Sequence, residues 1–361
     1  MRRNFSEIVE VAGTACKPFD GSRKYISTGS VHHDSICDNE VEIVNFKNKP
    51  SRANLEVNAG DILFAKMQGT RKTLLIDEDL SRNIYSTGFY AIKPKSGVIT
   101  EKCLYYLVDS SLFLGEKDKK CSGATQKAIN NYGLKQIELK IPNYHNQAKI
   151  GEQLDLLFSM IRARRHQINQ LDNLIKARFV EMFGDKYPNM VVGDKLKTTS
   201  GGTPSKKHSE YYDGGTIPWL TSGEVNAGII RTVKNRITEE AVKNSSAKMI
   251  PENSILVAMY GATAGQVGLL KIRTTTNQAI CSILPNEKYL PEYLYHAMAS
   301  KKDWMISQSA GGAQPNISQS VIRRMEIVDA PIAMQNIFVK LVHQVDKSKF
   351  AVQNTVQGIQ K

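Results

Sequence analysis

The chain has 361 residues, 41% of them apolar and 23% charged, with a formal net charge of +13. That length suits two or three domains, and the composition fits a chain that buries a core, which excludes wholesale disorder. Five cysteines without a Cys-x-x-Cys pair exclude a disulfide scaffold and a cysteine-rich zinc site, and with no secretory signal or ~20-residue apolar run a reducing cytoplasm is expected.

Residues 1–143 carry short apolar runs broken by Gly, Pro, Asn and Asp. Ile62–Ala65 and Phe89–Ile92 have the length and β-branched or aromatic content of strands, and Leu104–Leu114 reads as a short helix. Pro142 closes this region. In residues 144–184 the positions Ile150, Leu154, Leu157, Ile161, Arg164, Ile168, Leu171, Ile175 and Arg178 follow steps of three and four, the a/d pattern of a coiled coil. Gly184, Asp185 and Pro188 stop it.

Residues 185–331 start the scheme again. Ile255–Tyr260 and Ala279–Leu284 read as strands, Glu292–Ile306 as a helix, and Pro331 closes the region. In residues 332–361, Phe338, Leu341, Val345, Ser348, Val352, Thr355 and Ile359 resume the heptad.

The two halves match in order at an offset of about 190 residues. Tyr25–Val31 pairs with Trp219–Val225, Asp61–Ala65 with Ser254–Ala258, and Leu104-Tyr105 with Leu294-Tyr295. Gly123–Ile129 pairs with Gly311–Ile317, and Gln147–Ile150 with Gln335–Phe338. The fold expected is α/β (α+β): two similar domains in tandem, 1–143 and 185–331, each followed by a long helix, 144–184 and 332–361. The helices are expected to pair as an antiparallel coiled coil under pseudo-two-fold symmetry. Each domain has a net charge of +4, and no run of five like charges exists. Any anion-binding face is therefore assembled by folding.

Catalytic motifs are missing. Ser200–Lys207 lacks P-loop spacing, and Pro204 removes an N–H donor. Gly261–Gly268 reads as a turn. No Asn/Asp-Pro-Pro-aromatic tetrapeptide occurs, and Cys121 and Cys281 have no activating neighbour. His32-His33-Asp34 with Cys37 reads as a polar loop and not a metal site. Two basic modules on a helical spacer suit DNA, which offers anionic sites at fixed distances. The candidate DNA-binding residues are Thr28, Ser30, Lys66, Gln68, Arg71, Lys72, Gln126 and Lys127 in the first repeat. In the second they are Thr203, Ser222, Glu224, Tyr260, Gln314 and Asn316. Their side chains are types that contact base edges or phosphates. A coiled-coil adaptor that binds proteins is the structural alternative, and a small-molecule enzyme lacks its cofactor motifs.

The second repeat resembles the target recognition domain of type I restriction-modification specificity subunits. Ser200-Gly-Gly-Thr-Pro-Ser205, Ile217–Glu224, Ile255–Thr263, Gly265-Gln266, Asn277-Gln278-Ala279 and Gly311-Gly-Ala-Gln-Pro-Asn-Ile317 carry the resemblance. The first repeat departs from it, with Gly13-Thr14 alone at its start and Gly88-Phe89 for Gln-Ala. The resemblance implies a non-catalytic bacterial or archaeal chain reading an interrupted, asymmetric DNA site, one half per domain. Its helices would set the gap and hold two adenine methyltransferase subunits, with restriction subunits joining where they exist. S-adenosylmethionine, ATP and magnesium would belong to those partners. A DNA-reading partner of a fused restriction-methylation enzyme is the related alternative.

Overall fold

The structure, a computed structural model, describes residues 2–309 and 316–359. It divides into two compact units, Met1–Met160 and Ile161–Lys361.

The first unit contains β1 (Val9–Val11), β2 (Arg23–Ile26), β3 (Glu42–Val44), β4 (Ala53–Leu55), β5 (Ile62–Ala65), β6 (Thr73–Leu75), β7 (Ile84–Ser86) and β8 (Phe89–Pro94). Helices α1 (Glu101–Val108) and α2 (Ser111–Lys119) follow, then the opening turns of α3 (Tyr144–Phe183). One sheet has the order β3-β2-β7-β4, with β2 and β7 parallel and the outer pairs antiparallel. The other has the order β1-β8-β5-β6 and is antiparallel throughout.

The second unit contains β9 (Thr198–Ser200), β10 (Ile217–Leu220), β11 (Ile229–Ile230), β12 (Asn235–Ile237), β13 (Met249–Ile250), β14 (Ile255–Ala258), β15 (Val267–Leu270), β16 (Thr274–Thr276) and β17 (Ile280–Ile283). Helices α4 (Pro291–Ala299), α5 (Lys302–Ser307) and α6 (Ile332–Ile359) follow. Its sheet β12-β10-β16-β13 repeats the antiparallel, parallel, antiparallel scheme. Its sheet β9-β17-β14-β15 repeats the antiparallel one and adds β11 parallel to β15. The sequence repeat is thus a repeat of topology.

The continuous apolar strands are explained by burial on both faces. In β5, Ile62 and Phe64 enter one core cluster, and Leu63 and Ala65 enter another. In β14, Ile255 and Val257 face one cluster, and Leu256 and Ala258 the other. Each expected middle helix is two helices. Ser110 breaks the first, its hydroxyl accepting the Phe113 N–H at 3.2 Å as the cap of α2. Ser300 and Lys301 separate α4 from α5.

One buried glutamine recurs at each long-helix start. Gln147 accepts from Thr100 N–H at 2.8 Å and donates to the Val98 and Pro142 carbonyls. Gln335 accepts from Leu290 N–H at 2.8 Å and donates to the Lys288 and Ala330 carbonyls. Each side chain ties the long helix to the start of α1 or α4.

The heptad reading needs correction. The opening turns of α3 face α1: Phe158 stacks on Tyr106 with centroids 5.1 Å apart, and Asp155 binds Tyr106 and Lys102. Leu157 is 40% exposed, so it is not a seam residue. Ile150, Leu154 and Ile168 are half-buried, and Ile161 is buried. Farther along, Leu171, Ile175, Phe179 and Phe183 step by four, the spacing of ridge packing more than of a strict heptad. On α6 the buried face runs through Phe338, Val342, Val345 and Val352; Leu341 is half-buried, and Ser348 and Thr355 are exposed. Ile359 ends the helix. The pairing of these two stretches is antiparallel, since Phe338 meets Phe179 and Phe183 while Lys349 bonds Asp172 at 2.5 Å.

The Gly201-Gly202 pair lies flush against β16. A Cβ on Gly201 would sit 1.9 Å from the Thr276 carbonyl oxygen, and one on Gly202 2.0 Å from Ser246 Oγ. Gly202 also accepts the Trp219 indole N–H at 3.1 Å. Gly201→Ala is therefore expected to lower stability by about 1–3 kcal/mol or more, read as a shift in urea midpoint. Trp219 and Trp304 both lie in the second unit, so tryptophan fluorescence follows that unit alone.

Candidate nucleic-acid interface

In the first unit, β5 runs into a loop, residues 66–72, before β6 begins. Gly69 turns it with a φ of +70°. The buried Lys117 of α2 organises its backbone: the ammonium donates to the carbonyls of Ala65, Met67 and Thr70 at 3.1, 2.8 and 3.1 Å. A second loop, 121–129, crosses the first. Gln68 N–H donates to the Lys127 carbonyl and Ile129 N–H to the Lys66 carbonyl, both at 2.9 Å. Met67 and Ala128 form the bridge between them.

The second unit builds the same crossing. Ile317 N–H donates to the Met259 carbonyl at 2.8 Å, and Tyr260 bridges Asn316. Met67 and Tyr260 are thus equivalent positions, and they are 39% and 40% exposed. The glycine-rich stretch after Tyr260 is a turn, with positive φ at Gly261 and Gly265.

The candidate residues divide by what their side chains already do. Gln68, Gln126 and Lys127 are exposed where the first unit's loops cross, and Tyr260 and Asn316 are exposed in the second. Gln314 lies outside the described residues. Arg71 is exposed but pairs with the buried Asp109 at 2.9 Å. Lys72 donates to the Thr28 carbonyl at 2.5 Å, so Thr28 supports this loop through its backbone. Lys66 donates to the Thr87 carbonyl at 2.9 Å and lies 5.4 Å over the Tyr90 ring; burial holds its pKa below the usual lysine value. Thr203 bonds Gln278 in the loop after β9.

Two assignments are corrected by burial and bonding. Ser30 is buried, with its hydroxyl donating to the Ser27 carbonyl at 3.0 Å, so it closes a turn and offers nothing to a ligand. Glu224 accepts from the backbone and hydroxyl of Thr221, both at 3.0 Å, and from Lys234 N–H at 2.9 Å. It is a capping-box carboxylate, and Ser222 is half-buried in the turn it caps. Positions 30 and 224 match in the repeat because both close the turn after the matched strands β2 and β10.

Two residues escape a sequence reading that considers each repeat alone. Met67 becomes legible when Asp61–Ala65 is aligned with Ser254–Ala258 and continued two residues to Tyr260. Lys117 has no such signal, because it stands among Lys119 and Lys120 on a polar helix.

Histidines add electrostatic detail. His33, at φ +60°, places Nε2 3.1 Å from Asp109 and Nδ1 3.4 Å from Asp34. The Asp109 carboxylate and then Asp34 raise its pKa to about 9. In the second unit, His296 meets Phe338 at 5.3 Å between ring centroids. Burial, with Lys349 nearby, lowers its pKa to about 4. The unfolded chain takes up this proton near pH 6.5, before the folded chain does. Stability of the second unit should therefore fall as pH drops from about 6.5 towards 4, by up to roughly 3 kcal/mol. Urea titrations followed by tryptophan fluorescence measure it, and His296→Gln should flatten the slope over that range.

No helix among the described residues is long and apolar enough to cross a membrane. The family model for the type I restriction modification DNA specificity domain matches residues 6–173 and again 186–358. The EcoR124I/EcoR124II type I restriction enzyme specificity subunit of Escherichia coli is 25% identical over 64% of the chain and 60% of its own length. The chain therefore spans less than two thirds of that relative. The HindI specificity subunit of Haemophilus influenzae is 24% identical over 88% of the chain and 86% of its own length. Among solved structures, a type I restriction-modification S subunit from M. genitalium shares the fold with a TM-score of 0.52 at 13% identity, over 100% of this chain and 92% of that one.

Proposed function

Since the chain belongs to the type I restriction-modification DNA specificity family, we propose that it reads double-stranded DNA as the specificity subunit of such a system, each unit reading one half of a bipartite, asymmetric site. The observation that carries the reading is the repeated loop crossing, Lys66–Ile129 in one unit and Met259–Ile317 in the other. It exposes a different residue set from the same scaffold: Met67, Gln68, Gln126 and Lys127 against Tyr260 and Asn316. Different side chains at equivalent positions suit different half-sites. Gln and Asn match adenine, Lys matches guanine or phosphate, and apolar groups match the thymine methyl. The subunit itself is non-catalytic. The long helices set the gap and hold two methyltransferase subunits, which bring S-adenosylmethionine. Restriction subunits would bring ATP and magnesium.

The test is to co-express the full chain with its adenine methyltransferase subunit and map the methylated adenines. A two-part motif with a fixed gap is expected. A stable, active complex that methylates without sequence preference overturns the reading. Replacing Gln314 and Asn316 with Ala should change one half of the motif, and Met67→Ala the other. Equal loss on both halves would refute the modular assignment. In the same assay, one added turn in α3 should widen the gap and leave both halves unchanged.

A further inference from the structure

The polar hairpin after β2 carries a set of metal-ligating side chains. Val31–His32 pairs with Ser35–Ile36 in a short antiparallel hairpin, and Cys37 N–H donates to the Ser30 carbonyl at 2.9 Å. Buried Val31 occupies the core face. By the alternation of strands, His32 and Cys37 then share the outer face as diagonal neighbours. The 3-10 turn Asp38–Glu40 brings a third group back to them. The ligand atoms of His32, Cys37 and Glu40 all lie within 4.8 Å of one another, with His32 Nε2 2.9 Å from Glu40 Oε2. Bonds of about 2.0–2.3 Å at tetrahedral angles would place zinc ligands roughly 3.3–3.7 Å apart, so small side-chain shifts complete the geometry. Sequence adjacency groups His32 and Cys37 with His33 and Asp34, whereas the fold groups them with Glu40. The His33 and Asp34 side chains are engaged in the Asp109 cluster.

We propose that His32, Cys37 and Glu40 form a surface site for a zinc ion. A thiolate, an imidazole and a carboxylate select a borderline divalent metal over calcium or magnesium, which favour all-oxygen sites. Binding breaks the Cys37 S–H bond, with the proton leaving to solvent as the Zn–S bond forms. It also replaces the His32–Glu40 contact with two metal bonds. The neutral His32 ring supplies a nitrogen lone pair, and water takes the fourth position. The site belongs to the first unit alone: residues 226–237, which follow Val225 at the matching place, contain no His, Cys, Asp or Glu. Its structural consequence is local. The carbonyl of His33 accepts the Thr73 N–H at 2.8 Å, so a metal clip on the hairpin would stiffen the edge from which the 66–72 loop departs. The inference stands independently of the DNA reading.

The test titrates the full-length chain with Co²⁺ as a zinc probe, in a thiol-free reductant. A thiolate-to-cobalt charge-transfer band with tetrahedral d–d absorption, saturating at one equivalent, is expected. Zn²⁺ should displace it. Cys37→Ser should abolish the charge-transfer band, and His32→Ala and Glu40→Gln should each weaken binding at least tenfold. Cys121→Ser should leave the band intact. His32 and Glu40 are exposed and Cys37 is half-buried, and circular dichroism should show unchanged folding in all three variants. No band, a band that survives Cys37→Ser, or affinity unmoved by His32→Ala overturns the proposal.

Discussion

Phe338→Ala should destabilise the second unit by about 3–5 kcal/mol, the largest effect expected from a single change there. Phe338 is fully buried at the start of the seam on α6. Its ring meets Phe179 at 5.4 Å and Phe183 at 5.5 Å, both edge-to-face, and His296 at 5.3 Å. Tyr293 of α4 closes the same cluster against Phe183 at 5.1 Å. Truncation removes the apolar burial and the ring-edge contacts together, and rings from α3, α4 and α6 cannot all collapse into the space. The urea midpoint of tryptophan fluorescence reports the loss. Phe350→Ala, on the same helix but 65% exposed, should stay within about 0.5 kcal/mol. Equal effects would mean that the helix pair is not held by this cluster.

Lys117→Met should cost about 3 kcal/mol or more in the first unit, by a different mechanism. Lys117 is 1% exposed and its ammonium satisfies three carbonyls of the 65–70 segment. Methionine fills much of the volume but donates nothing. The carbonyls of Ala65, Met67 and Thr70 would each lose a charged partner, and unpaired buried polar groups cost about 1–3 kcal/mol each. The loss should also be local. Amide exchange at Gln68 and Ile129, whose N–H groups hold the loop crossing, should accelerate more than at β5 and β8. Uniform acceleration across the unit would show that Lys117 supports the core and not the loop. If the loop reads DNA, the same variant should weaken one half-site without altering any exposed side chain.

Much of the architecture was legible because repetition supplied an internal comparison. Asp61–Ala65 and Ser254–Ala258 align in sequence, and each forms an interior strand paired antiparallel on both sides. The prolines before the long helices and the glutamines after them were legible as matched pairs. The sites were less legible. Ser30 and Glu224 are polar, matched and adjacent to strands, which are the properties of a recognition residue and also of a turn cap. Burial and bonding separated the two roles. Leu157 fell on the expected heptad because step-counting cannot see a helix change partners. The opening turns of α3 pack on α1 through Phe158, and its later turns pack on α6 through Phe179 and Phe183.

What the sequence determined alone was the order and kind of elements: two modules, each closed by a proline and followed by a helix, with positive charge shared between them. Periodicity and repetition are one-dimensional properties, and they survive being read along the chain. The tertiary structure alone decided which polar groups remain available. It committed Ser30, Lys72 and Glu224 to backbone partners, drew Lys117 inward, and turned His32 towards Cys37 and Glu40. Those outcomes depend on distances between residues far apart in the chain or on opposite sides of a turn, where hydrogen-bond competition and burial act only after the chain has folded.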